Sequence, residues 1–315
     1  MEAKFNHHLL SCIFLLFLLN PFQCFSSSYP SHQISTPQTP SPLDYLKSLI
    51  GTKKGTRAKG LPQLKTYLSN LGYMKTNTNS TNSDQSNNDL FNDNLEIALK
   101  KYQTFFKLQT SGILDFQTVS KLLQPRCGIP DNFDNIKNTN DNNKINSTIM
   151  SSLYTYFPGQ PKWAPTKRNL TYSFPPITRN DIRRPIANAL GEWARVTLFT
   201  FRYIQDYNKA DIKISFQVRD HGDGHPFDGP GGTLAHAYLP SDGRLHYDGD
   251  EKWVDGVVPG ATDLQTVGLH ELGHVLGLQH STDPSSIMWP TIGPGFRKDL
   301  GQDDIRGIKA LYGFP

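Results

Sequence analysis

A chain of 315 residues has room for a targeting segment and two modest domains, or for one large one. Its formal net charge is only +4 and it carries no basic run, so nothing points to a nucleic-acid binder. An apolar content of 37% is low for a globular chain, and Asn-rich stretches that need not pack account for part of that.

Lys4, a short apolar stretch at 9–19 and small residues within 22–28 predict a secretory signal peptide over residues 1–26. The apolar stretch is too short to span a bilayer, and the chain ends at Tyr312-Gly313-Phe314-Pro315 with no hydrophobic tail, so no membrane anchor is expected. A secreted, extracellular protein is the expectation. Cys12 and Cys24 fall inside the signal segment, which leaves Cys127 as a lone thiol. In an oxidising compartment such a thiol is buried, paired with another chain, or bound to something soft such as a metal. Asn79, Asn146 and Asn169 each head a glycosylation acceptor triplet, a weak sign in an Asn-rich chain.

Residues 27–59 begin rich in Ser and Pro and read as a flexible leader. A three-helix unit is predicted over 60–131. Leu61, Leu64, Leu68 and Leu71 recur at helical spacing and stop at Gly72. Residues 75–92 are polar and read as a solvated loop. Leu95, Ala98, Tyr102, Phe105 and Phe106 share a face of a second helix. Asp115 caps a third, with Phe116, Val119, Leu122 and Leu123 inward. Residues 132–150 are Asn-rich and read as a linker without a dibasic processing site. From 151 to 315 the pattern is α+β. Strands are predicted at 170–174, 200–204, 212–218 and near Leu234, with helices at 180–196, 264–277 and 302–311. Thr178 and Asp181 stand at capping-box spacing before the first of these helices.

Residues 270–280 read His-Glu-Leu-Gly-His-Val-Leu-Gly-Leu-Gln-His. His270 and His274 fall one helical turn apart on one face. Gly277 can end the helix in a left-handed conformation, so that the chain bends back and brings His280 to the same metal. Three neutral imidazoles suit Zn²⁺ and leave a fourth position for water. Glu271 stands beside that position and can take the proton of the zinc-bound water, whose pKa falls from about 16 to about 7. Histidines on a solvated helix, or a structural zinc, are the competing readings. The latter gives Glu271 no role.

The extended motif resembles the metzincins, and Ser286-Ile287-Met288-Trp289-Pro290 is similar to their Met-turn. That resemblance makes Met288 an apolar floor under the zinc. Pro125-Arg126-Cys127-Gly128-Ile129-Pro130-Asp131 resembles the cysteine switch of matrixins (matrix metalloproteinases). A thiolate is a strong zinc ligand and could fill the water's position until the segment is removed. The alternative is a buried structural cysteine. The resemblance covers roughly residues 45–315 and is nearest to the plant metalloendoproteinase type. It implies a metzincin-type catalytic domain with a mixed sheet and helices, preceded by a small peptidoglycan-binding-like propeptide that acts as an intramolecular inhibitor.

His221, Asp223, His236 and His246 offer four N and O ligands, a set suited to a closed structural zinc. The Gly-rich run 227–233 between them resembles the matrixin calcium loop. By that resemblance Asp228, Asp248 and Glu251 supply carboxylates to Ca²⁺, and Gly229, Gly231 and Thr233 supply carbonyls. A flexible Gly-rich turn is the bland reading. Asp211 matches a second calcium position, but Arg244 stands where a carboxylate is expected. By resemblance, Leu234 and Ala235 border the cleft, where an extended polypeptide substrate could pair with the open strand edge. Thr266 is small and leaves a deep pocket for a large apolar residue after the scissile bond. Asp303 pairs, by family analogy, with a freed N-terminus near Tyr154. The expected protein is thus a monomeric, latent zinc endopeptidase. The readings kept against it are a cell-wall-binding module and an inactive zinc-binding protein.

Overall fold

The computed structural model describes residues 41–74, 88–131 and 153–315. The expected signal peptide, most of the polar loop, the linker, Asn79 and Asn146 lie outside the described residues.

The helical unit consists of α1 (Leu61–Asn70), α2 (Asp93–Phe105) and α3 (Phe116–Leu122). Leu61, Leu64, Leu68, Leu95 and Leu99 are buried in one apolar cluster. Asn92 caps α2 by accepting from the Leu95 N–H at 3.0 Å, and Asp115 caps α3 by accepting from the Thr118 N–H at 2.7 Å. The buried Gln103 amide ties the α2–α3 connection, donating to the Ile113 carbonyl and to Thr118 Oγ1 and accepting from the Gly112 N–H. Two expectations need correction. Residues 41–59 are not a leader: a 3-10 helix spans Asp44–Leu49, and Leu43, Leu46 and Leu49 are buried in the same cluster. Phe116 is 70% exposed, because it is the first residue of α3 and points away from the helices that Val119 and Leu122 face.

The remainder is an α+β body. It contains β2 (Asn169–Ser173), α4 (Arg183–Val196), β3 (Thr200–Tyr203), β4 (Ile212–Gln217), β5 (Thr233–Ala237), β6 (Arg244–Asp248), β7 (Trp253–Val254), β8 (Thr262–Asp263), α5 (Leu264–Val275) and α6 (Gln302–Tyr312). The main sheet runs β1-β5-β6-β4-β2-β3, where β1 is Arg126–Cys127. Only β5 and β6 pair antiparallel, so the sheet is mixed. β1 comes from the end of the helical unit and pairs parallel with β5, which closes an edge that the body alone leaves open.

Every residue of α5 is buried, including the polar Gln265, Thr266, His270, Glu271 and His274. Trp193 of α4 is fully buried against it and donates Nε1–H to the Leu269 carbonyl at 2.9 Å. Asp263 caps α5 by accepting from the Thr266 N–H at 3.0 Å. Beyond α5 the chain reverses at Gly277, whose φ is +102° and whose missing Cβ would lie 2.3 Å from the Pro161 carbonyl oxygen. The capping box expected at Thr178 and Asp181 does not form. Asp181 pairs with Arg179, and a 3-10 turn, Asn180–Ile182, starts α4 without a side-chain cap. The strand β6 was absent from the expected elements.

Candidate metal centre

Among the described residues, two clusters bring metal-ligand atoms within 4.8 Å of one another: Cys127, His270, His274 and His280, and His221, Asp223, His236 and His246. Helix α5 carries the first two histidines of the first cluster, and the Gly277 reversal carries the third.

In this cluster Nε2 of His274 lies 3.2 Å from Nε2 of His270 and 3.5 Å from Cys127 Sγ. The opposite ring nitrogens are each held by an acceptor. His270 Nδ1 donates to the Ile287 carbonyl at 2.7 Å, and His274 Nδ1 to the Leu278 carbonyl at 2.8 Å. His280 Nδ1 donates to Asp131 Oδ1 at 2.7 Å. A carbonyl or ionised carboxylate only accepts, so each ring carries its proton on Nδ1 and turns a bare Nε2 inward. Burial pushes all three imidazoles below their usual range, and they stand neutral.

His280 Nε2 and both Glu271 carboxylate oxygens are buried without a hydrogen-bond partner. Buried polar atoms are almost always satisfied, so an orphan His280 Nε2 grouped with the inward nitrogens of His270 and His274 fits a cation that the three rings face. A neutral N₃ donor set with one sulfur suits zinc. Burial raises the Glu271 carboxyl to about 8 in this closed form. Burial and the neighbouring Glu271 push the Cys127 thiol well above its usual range.

Cys127 is delivered by backbone pairing on both sides. Arg126 N–H donates to Gly232 O at 2.8 Å, Gly128 N–H to Ala235 O at 2.8 Å, and Cys127 N–H to Pro290 O at 3.0 Å. The segment is thus threaded between β5, which carries Leu234 and Ala235, and the chain that follows Met288. A Cβ on Gly128 would lie 2.8 Å from the Thr233 methyl carbon, so glycine is required by the close approach itself. Arg126 is 1% exposed and forms a bidentate pair with Asp131, at 2.8 and 3.1 Å. Met288 is buried in the core of the body below the histidines, its turn held by Asp304, which accepts from the Ile287 and Met288 N–H groups.

In the second cluster Asp223 Oδ2 lies 2.8 Å from His221 Nε2, 2.9 Å from His236 Nε2 and 3.0 Å from His246 Nδ1. His246 Nδ1 is 3.2 Å from both other ring nitrogens. Bonds of about 2.0 Å to a tetrahedral zinc put ligand atoms about 3.3 Å apart, so the set fits that ion. The Tyr238 hydroxyl donates to Asp223 Oδ2 at 2.9 Å, and Phe227 stacks on His221 and His236. Sequence reasoning missed both, since neither bears a ligand atom.

Asp228 within the Gly-rich loop and Asp248 and Glu251 at and beyond the end of β6 converge on the loop's amides. Asp228 accepts from Thr233 N–H, Asp248 from Gly229 N–H and Glu251 from Gly231 N–H. Burial and mutual repulsion raise Asp228 and Glu251 to about 7, the strain of clustered carboxylates that a cation relieves. Asp211 instead pairs with Lys167 at 2.8 Å and accepts from Thr171, which uses the oxygens of the second calcium position. Thr266 is buried, its hydroxyl donating to Asp263 and accepting from Lys298 N–H. Asp303 accepts from Leu153 N–H at 3.2 Å and from Ser281 Oγ at 2.7 Å. Asn169, the one acceptor among the described residues, is exposed on β2. No helix among the described residues is long and apolar enough to cross a membrane.

Comparison with known proteins adds to this geometry. A family model described as Matrixin matches residues 162–313, and one described as Putative peptidoglycan binding domain matches residues 57–122. Metalloendoproteinase 1 of Glycine max is 43% identical over 82% of this chain and 84% of its own length. Metalloendoproteinase 5-MMP of Arabidopsis thaliana is 39% identical over 97% of this chain and 86% of its own. Human Matrilysin is 39% identical over 70% and 77%.

Proposed function

Because the chain belongs to the matrixin family and is a zinc metalloendopeptidase, we propose that it is a secreted zymogen whose own N-terminal unit keeps it latent. The observation that carries this reading is the Cys127 sulfur, buried 3.5 Å from His274 Nε2 among three inward-facing imidazoles. His270, His274 and His280 hold the catalytic zinc, and Cys127 completes its shell until the segment leaves. When bound, zinc supplies a Lewis acid that polarises the peptide carbonyl and acidifies water.

The residues of the chain do the rest. Glu271, with no hydrogen-bond partner for either oxygen, takes a proton from the attacking water and returns it to the leaving amine nitrogen. The β5 edge at Leu234 and Ala235, vacated by β1, binds an extended polypeptide through its backbone. The pocket beside Thr266 takes a large apolar side chain after the scissile bond. A peptide-library cleavage profile preferring small or charged residues there refutes that part. His221, Asp223, His236 and His246 hold a structural zinc. Asp228, Asp248, Glu251 and the carbonyls of Gly229, Gly231 and Thr233 hold calcium. Asp303, already on the Leu153 amide, receives the new N-terminus. The protein acts as a monomer outside the cell, in the apoplast or extracellular matrix, glycosylated at acceptors of the set Asn79, Asn146 and Asn169.

One assay tests the central reading. The purified precursor is treated with a mercurial and given casein or a quenched peptide, with and without phenanthroline. Hydrolysis that appears only after treatment and vanishes with the chelator is expected. Full activity without treatment overturns latency, and activity that survives the chelator overturns the zinc mechanism.

A further inference from the structure

The three histidines differ in what stands behind them. The carbonyls of Ile287 and Leu278, behind His270 and His274, belong to the catalytic body and remain after maturation. The acceptor behind His280 is Asp131 Oδ1 at 2.7 Å, and Asp131 lies 149 residues upstream, in the segment that maturation removes. Both side chains of this pair are fully buried. Asp131 is held rigidly, accepting also from Arg126 and from the Tyr73 hydroxyl at 2.7 Å.

A carboxylate that accepts an imidazole N–H fixes the ring and makes its other nitrogen a stronger donor to a metal. We propose that Asp131 is a positioning residue for the zinc, acting through His280 in the precursor alone. The pro-segment then grips the metal site from two directions, by sulfur in front and by a carboxylate behind the third ligand. Maturation leaves His280 Nδ1 to water, and the mature enzyme holds zinc more weakly even after the loss of sulfur is allowed for. This inference rests on the latent zinc reading above.

The test uses the full precursor carrying Cys127→Ser, so that sulfur contributes nothing, and equilibrium competition for zinc with a chromogenic chelator. This precursor is expected to bind zinc about 10- to 100-fold more tightly than the mature enzyme, the range by which outer-shell partners change metal affinity. Adding Asp131→Asn is expected to remove that advantage while Trp289 fluorescence reports the pro-segment still seated. Equal affinities of the Cys127→Ser precursor and the mature enzyme overturn the proposal. So does an advantage that survives Asp131→Asn. Should asparagine unseat the segment, the imidazole N–H resonance of His280 decides in the unaltered precursor. A downfield, slowly exchanging signal lost on maturation supports the proposal, and its absence overturns it. A wild-type precursor without zinc sinks the latent zinc reading itself, and this inference with it.

Discussion

The indole of Trp289 stacks on the ring of Phe105, with centroids 6.0 Å apart and planes 22° from parallel. Trp289 follows Met288 in the turn below the histidines, yet it is buried in the core of the helical unit, edge-on to Phe106 and under the Lys121 ammonium. The catalytic body therefore lends one large side chain to the core of its own inhibitor. Removing a buried Trp side chain costs about 3–5 kcal/mol. Trp289→Ala is expected to loosen the pro-segment and leave the mature body's stability nearly unchanged. The rate at which a thiol reagent labels Cys127 in the precursor is expected to rise at least about 100-fold, since about 1.4 kcal/mol is a factor of ten in a pre-equilibrium. An unchanged labelling rate refutes the anchor role.

Cys127→Ser removes the sulfur and leaves the backbone pairing of the segment with Gly232, Ala235 and Pro290 intact. The variant precursor is expected to fold, to remain uncleaved, and to hydrolyse a quenched peptide without any activator, at a rate below that of the mature enzyme because the segment still fills the cleft. Strict latency in the serine variant means that the backbone contacts alone inhibit.

Glu271→Ala leaves the three zinc-facing nitrogens and their carbonyl and carboxylate supports in place. Zinc content and thermal stability of the mature form are expected to hold. The rate of peptide hydrolysis is expected to fall about 100- to 10,000-fold, the usual contribution of a general base. A variant that loses its zinc in metal analysis places Glu271 in metal retention instead.

Much of this was legible in the sequence because it is local. The i, i+4 spacing of His270 and His274, the reversal at Gly277 and the capping role of Asp115 all act within one or two turns. What escaped notice was set by partners far along the chain. Leu43, Leu46 and Leu49 carry an apolar period hidden between a Ser/Pro run and Lys/Gly residues, and only the packing of α1 to α3 gives it a surface to bury. Asp181 had the spacing of a capping residue, but Arg179 two positions away competes for its carboxylate. The strand β6 alternates toward the second cluster through His246, a polar residue that breaks the apolar signal of a strand. The contact of Asp131 with His280 and the burial of Trp289 arise only when two units of the chain close on one another.

Gly273 sits on the face of α5 that Met288 supports. A Cβ there would stand 2.3 Å from Met288 Sδ and 3.2 Å from the buried Trp193 ring. The rigid indole cannot retreat, so the strain falls on the Met288 turn and through it on Ile287, whose carbonyl holds His270. Gly273→Ala is expected to cost about 1–3 kcal/mol, the range for overpacking a core, and to weaken zinc binding in a chelator competition. Unaltered stability and affinity mean that the floor is soft and Met288 is ordinary core.

Asp228 and Glu251 give the Gly-rich loop a pH dependence whose sign follows from their environment. Burial and neighbouring carboxylates raise both to about 7, from ordinary values of 3.8 and 4.5. The cation-free folded state therefore binds these protons more tightly than the unfolded chain does. Their contribution to stability is fully present below the ordinary values and is lost as pH rises through about 7. Calcium reverses the sense, because a bound cation favours the ionised carboxylates and must compete with protons for them. The rise in melting temperature on adding calcium to chelator-treated mature protein is thus expected to be small near about pH 5 and large near about pH 8. Asp228→Asn is expected to flatten this dependence, since it removes one of the two titrating groups and a ligand together. Scanning calorimetry in calcium and in chelator at both pH values checks it, and a calcium increment that is the same at both removes the loop from the list of cation sites.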